Sequence, residues 1–125
     1  AIADYTRVIE IEPDYATAYK YRGDAYYSLG NYEAALTDYT RAIKIDPDYI
    51  SAYNKRAYTY NNLGKYEDAI ADLETALRID PDYANLYDSR AEIKEQNGFP
   101  FCNDYKRACE LGMENSCKRY DKKCR

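Results

Sequence analysis

From Ala16 to Leu29, and again from Glu33 to Ile45, apolar residues recur at i, i+3, i+4 and i+7, which predicts two amphipathic helices separated by a short break. Gly30 stands in that break and Gly64 in its counterpart; either can close a helix in the left-handed conformation. Each pair of helices ends at an Asp-Pro-Asp string, Asp46-Pro47-Asp48 and then Asp80-Pro81-Asp82, where proline turns the preceding residue away from helical geometry.

The pattern repeats along the chain. Pro13, Pro47 and Pro81 are spaced by 34 residues, each inside Pro-Asp-Tyr. Tyr19, Tyr53 and Tyr87 keep that period, as do Arg22, Arg56 and Arg90, then Gly23, Ala57 and Ala91. Leu29-Gly30 matches Leu63-Gly64, Tyr32 matches Tyr66, Ala35 matches Ala69, Tyr39 matches Leu73, and Ala42 matches Ala76. A fixed period in this range signals stacked two-helix units that bury a continuous core between neighbours.

On these residues the chain resembles the tetratricopeptide-repeat family, whose units carry an aromatic, Leu-Gly, Tyr, a small residue, an aromatic, Ala and Pro in this order. The resemblance implies an all-α fold, a right-handed α-α superhelix of antiparallel helix pairs. Residues 1–15 would be the second helix of a truncated unit, 16–49 and 50–83 complete units, 84–112 a degenerate unit and 113–125 a capping helix. Residue 1 is Ala and the pattern enters in mid-unit, so the sequence reads as a piece of a longer chain. Self-association through the open N-terminal end is one expected consequence.

The resemblance also implies a concave groove lined by the first helix of each unit. Its positions here are Thr17, Lys20, Tyr21, Asp24, Tyr27 and Ser28, then Ser51, Asn54, Lys55, Tyr58, Asn61 and Asn62, then Asn85, Asp88, Ser89, Glu92, Glu95 and Gln96. Most of the seventeen tyrosines fall on packing or turn positions, and Tyr21, Tyr27 and Tyr58 are left as ligand candidates. Amides and hydroxyls beside rigid rings suit a peptide or protein segment; exposed Tyr and Asn are also ordinary solvent-facing residues. Chaperone-binding members of the family grip a terminal carboxylate with Lys and Asn at set positions. Only Lys20 matches: Asp24 and Lys55 stand where asparagines are wanted, and Asn85 and Ser89 where Lys and Arg are wanted. The acidic residues Asp88, Glu92 and Glu95 instead suggest a ligand with Lys or Arg at that end. The periodic arginines recur alongside Asp4, Asp38, Asp72 and Asp104, which reads as an Arg/Asp ladder of exposed pairs worth at most about 1 kcal/mol each.

Four cysteines lie in the last quarter of the chain. If the second helix of the last unit turns back on the capping helix, Cys102 with Cys124 and Cys109 with Cys117 are both centred on residue 113, so one antiparallel hairpin accounts for two disulfides. The segment Arg107 to Gly112 followed by Cys117 is similar to the helix crosslink of secreted, cysteine-rich Sel1-like repeat proteins. Buried thiols are the other reading, because Cys102 and Cys109 align with the core positions Leu36/Ile70 and Ile43/Leu77. Disulfides would favour an extracytoplasmic setting, periplasmic or secreted. A four-cysteine zinc site is disfavoured, since seven helical residues rise about 10.5 Å and zinc needs its sulfurs within about 2.3 Å.

Composition narrows the function. The chain has no His and no Trp, which removes His-based acid/base catalysis, Ser-His and Cys-His nucleophiles and His metal sites. No Gly-rich phosphate loop is present, so an enzyme, a bound cofactor and a metal are not expected. The net charge of −4 hides an asymmetry: Glu114 to Arg125 holds five basic against two acidic residues, leaving −7 on the rest. That acidic body argues against nucleic acid as a partner, and no apolar run is long enough to cross a membrane. A protein- or peptide-binding scaffold is the first reading; a structural spacer, an oligomerising module or a regulatory domain of a larger protein is the alternative.

Overall fold

The computed structural model describes residues 1–125 as eight helices: α1 Ile2–Ile11, α2 Ala16–Ser28, α3 Tyr32–Ile45, α4 Ile50–Asn62, α5 Tyr66–Ile79, α6 Ala84–Gln96, α7 Cys102–Glu110 and α8 Glu114–Cys124. Consecutive helices pack as antiparallel neighbours, and the first helices α2, α4 and α6 also touch one another. This is the all-α solenoid of helix pairs that the period implied, and none of its helices is long and apolar enough to cross a membrane.

The turns follow from local chemistry. Gly30 and Gly64 adopt φ of +77° and +79°, a region closed to most side chains. At the unit boundaries, the backbone N–H of Asp48 donates to Asp46 Oδ1 at 3.1 Å, and that of Asp82 to Asp80 Oδ1 at 3.1 Å, so each Asp-Pro-Asp closes on its own side chain. Tyr53 and Tyr87 then reach back from the next helix and donate to the carbonyls of Pro47 and Pro81 at 2.9 and 2.8 Å. The periodic tyrosine therefore fixes the inter-unit turn as well as filling space.

Small residues let the helices approach. A Cβ on Gly23 would lie 2.8 Å from the ring of Tyr39, which is fully buried. In the next unit Ala57 and Leu73 occupy the matching positions, a larger residue on one helix offset by a smaller one on the other. They belong to the main core cluster, with Tyr53, Ala69, Ala76, Leu77, Leu86 and Ile93, between α4, α5 and α6. Helix α1 contributes no buried residue.

The Arg/Asp ladder departs from the expected exposed pairs. Arg22, Arg56 and Arg90 each grip an aspartate of the same unit with two nitrogens: Asp38 at 2.8 and 2.7 Å, Asp72 at 2.8 and 2.7 Å, Asp104 at 2.9 and 2.7 Å. The aspartates are buried. Burial pushes the Asp72 carboxyl up against the downward pull of Arg56. Asp4 is exposed and takes no part. The link to the preceding unit is a hydroxyl instead, with Arg22 donating to Thr6 and Arg56 to Thr40, both at 3.2 Å. The ladder thus ties each unit internally, and through Arg22 and Arg56 it also stitches two of the units to the ones before them.

At the C-terminus the sulfurs of Cys102 and Cys124 are joined, as are those of Cys109 and Cys117, with Cα separations of 5.8 and 4.6 Å. No cysteine stands outside these two pairs, and none of the four is fully buried. Helices α7 and α8 form the expected hairpin, turning at Gly112, whose φ is +105°.

Candidate functional site

Side chains on the first helices meet in a row of polar links. Asn62 Nδ2 donates to the Tyr27 hydroxyl at 2.8 Å, joining α4 to α2. Asn61 Nδ2 donates to Gln96 Oε1 at 2.8 Å and its own carbonyl accepts from Asn97 at 3.0 Å, joining α4 to α6. Tyr58 Oη lies 3.0 Å from both Ser89 Oγ and Glu92 Oε2. Its one proton goes to the carboxylate and the serine donates in return. Burial, with the charge of Glu92, pushes the Tyr58 phenol up to about 12.

The three candidate tyrosines consequently differ. Tyr58 is a half-buried tie between helices. Tyr27 keeps part of its ring open while its hydroxyl is held, and it meets Tyr32 edge-on with centroids 5.3 Å apart. Tyr21 is 45% exposed and stacks on Tyr5 at 5.9 Å. The Lys20 ammonium lies 4.8 Å from the Tyr21 centroid.

Six of the named groove residues are charged, and five are neutralised inside the protein. Lys20 pairs with Asp24 at 2.9 Å, and Asp24 also accepts from the Tyr39 hydroxyl at 2.5 Å. Asp88 is buried and accepts from Ser116 Oγ at 2.6 Å and from Arg119 at 2.8 Å; the same guanidinium nitrogen reaches Glu92 at 3.1 Å. Glu95 accepts from Lys123 Nζ at 2.5 Å and from the Tyr105 hydroxyl at 2.9 Å. Lys123, with Tyr105, holds the Glu95 carboxyl below its ordinary value. The chain's own α8 thus stands at the acidic end, where a ligand's Lys or Arg was expected. Lys55 alone has no carboxylate partner; its ammonium is 5.9 Å from the Tyr27 centroid. Beside it, Asn54 Oδ1 is buried without a hydrogen-bond partner.

Sequence reasoning missed Ser116, Arg119 and Lys123. Helix α8 continues the row α2, α4, α6, but its register is displaced. Arg90 and Asp104 are separated by 14 residues where the earlier pairs are separated by 16, so the period of 34 no longer reaches it. The basic run at Lys118 to Lys123 was the available signal. At the other end of the row, Ala1, Ile2, Ala3, Ala25, Ser28 and Leu29 line an open, largely apolar pocket of 580 Å³.

The family described as "TPR repeat" matches residues 1–30 and 23–64, and "Tetratricopeptide repeat" matches residues 50–83. Among solved structures the chain is similar to the first TPR of Spaghetti (RPAP3) bound to HSP90 peptide SRMEEVD, with a TM-score of 0.76 and 26% identity over 86% of this chain and 90% of that one. It is similar to MamA, with a TM-score of 0.82 and 26% identity over 95% of this chain and 70% of that one. A likeness in fold extends to YrrB, a TPR protein with an unusual peptide-binding site, with a TM-score of 0.78 and 24% identity over 90% of this chain and 59% of that one. No curated protein matches the sequence.

Proposed function

We propose that this chain, which belongs to the tetratricopeptide-repeat family, is a scaffold that takes a peptide or protein segment on the face of α2 and α4, and that the segment is acidic. The observation that carries the reading is Lys55, a half-buried cation left unpaired on a face where every other charge is matched. Such a group gains most from an incoming carboxylate, since a charge-assisted hydrogen bond is roughly twice as strong as a neutral one. Around it, Tyr21 and Tyr27 offer ring faces and Asn54 an amide with no bond of its own, while Asn61 and Tyr58 hold the helices in register. The peptide held by the Spaghetti relative contains two glutamates and an aspartate, which supports the same charge class. The residues that would grip a chain-terminal carboxylate differ here, so the reading is of an acidic residue within a segment rather than of a chaperone tail.

Selection of random peptides on the immobilised protein is expected to enrich Asp and Glu flanking an aromatic or aliphatic residue. Lys55→Glu is then expected to weaken the selected peptide at least about tenfold, which corresponds to roughly 1.4 kcal/mol. Selection of basic peptides, or equal binding by the variant, would remove the proposal.

Self-association is a second reading, carried by the apolar pocket at Ala1 to Ala3 and Leu29, which is 73% exposed. Sedimentation at rising concentration should then show dimers that Leu29→Lys abolishes; a single monomeric species throughout would dispose of it.

A further inference from the structure

Helix α8 is held in place by sulfur and charge, with little apolar packing. Its sequence, ENSCKRYDKKC, buries only Ser116, whereas α4, of similar length, buries Ala52, Tyr53, Ala57 and Thr59. Two disulfides bind it to α7, and Ser116, Arg119 and Lys123 bind it to Asp88, Glu92 and Glu95 of α6. These three donors fall at i, i+3 and i+7, one face of a helix. On the same helix Cys117 and Cys124, seven residues apart, face α7, where they join Cys109 and Cys102. Beneath α8 lie three carboxylates whose cationic partners all come from α8 itself, beside the buried Tyr105, whose ring centroid is 5.9 Å from the Arg119 guanidinium.

We propose that α8 is a disulfide-locked strap over a second binding face on α6 and α7, and that reduction of both bridges lets a basic amphipathic helix take its place. With the bridges intact, no competitor can displace a helix covalently attached at both of its cysteines. With them reduced, an isolated helix of this length is marginal in water, and ion pairs whose Arg119 and Lys123 partners are partly exposed contribute little. A partner helix with the same basic spacing, and with larger apolar residues where Cys117 and Cys124 stand, gains the packing that α8 lacks.

The reductant is a dithiol. One of its thiolates attacks a bridge sulfur, the S–S bond breaks with its electron pair on the other cysteine, and that cysteine takes up a proton. The reagent's second thiolate then displaces the first cysteine as a thiol and closes a disulfide in the reagent. Each bridge thus consumes one dithiol, and the two bridges accept four electrons and four protons.

The test uses the full chain and a labelled peptide of residues 114–124 with Cys117 and Cys124 replaced by leucine. Binding is measured with the bridges intact and after dithiothreitol reduction, with helical circular dichroism recorded in both states. At least tenfold tighter binding to the reduced protein is expected, lost when Arg119 and Lys123 of the peptide are changed to Glu. A variant with Cys102→Ser, Cys109→Ser, Cys117→Ser and Cys124→Ser lacks both bridges, and it should bind without reductant. Equal binding in both redox states overturns the proposal. So does failure of the folded reduced protein and of the variant to bind. Global unfolding of both overturns it too, because α8 would then be a structural part and not a strap. Lys55→Glu serves as a control: it lies off this face and should leave the redox difference unchanged whether or not the acidic-segment reading holds.

Discussion

Asp72→Ala is expected to destabilise the fold by roughly 3 kcal/mol, because removing one partner of a buried ion pair leaves the other charge without compensation. Thermal unfolding followed by circular dichroism should show this as a fall of about 10 °C for a domain of this size. The residue left behind is Arg56, whose guanidinium now spans Asp72 and the Thr40 hydroxyl of the preceding unit. Without Asp72 it keeps one weak bond and sits beside the rings of Tyr53 and Tyr60. Asp4→Ala is the matched comparison. It occupies the same place in the repeat, is exposed and makes no ion pair, so its removal should change stability by less than about 0.5 kcal/mol. Equal effects at the two positions would mean that the ladder contributes only as exposed pairs do.

A loss of similar size is expected for Leu73→Ala, again about 3 kcal/mol. Leu73 is fully buried among Ala57, Ala69, Ala76, Leu77 and Leu86. Several of those neighbours are alanines already, with no side chain that could swing into the space, so the cavity would persist and the cost would stay near the middle of the known range. Leu29→Ala should be close to neutral by the same logic, since that side chain is 73% exposed. Urea midpoints of the two variants, compared at unchanged slope, check both expectations.

What could be read from sequence depended on whether the repeat reached it. The period of 34 placed the helix pairs, and the glycine and Asp-Pro-Asp positions placed their ends, because those features are local and recur. Cysteine pairing was legible because a hairpin forces constant sums of position. The partners of the arginines were harder. Periodicity alone puts an aspartate one helix before and one helix after each arginine, and only packing shows that Arg22 takes Asp38 and leaves Asp4. The acidic end was hardest of all, since the third unit is shortened and α8 enters out of register. Nothing in the spacing announced that Arg119 and Lys123 would arrive at Asp88 and Glu95. Lys55 could not be recognised as unpaired until every neighbour that might have paired with it was placed.

Binding of a segment across α2 and α4 is tested most directly by amide chemical-shift mapping with nuclear magnetic resonance. An acidic peptide from the selection is titrated into isotope-labelled protein with its disulfides intact. The largest shifts are expected at Tyr21, Tyr27, Asn54 and Lys55, with α3 and α5 little changed. Shifts confined to α3 and α5, or no shifts at saturating peptide, would contradict it.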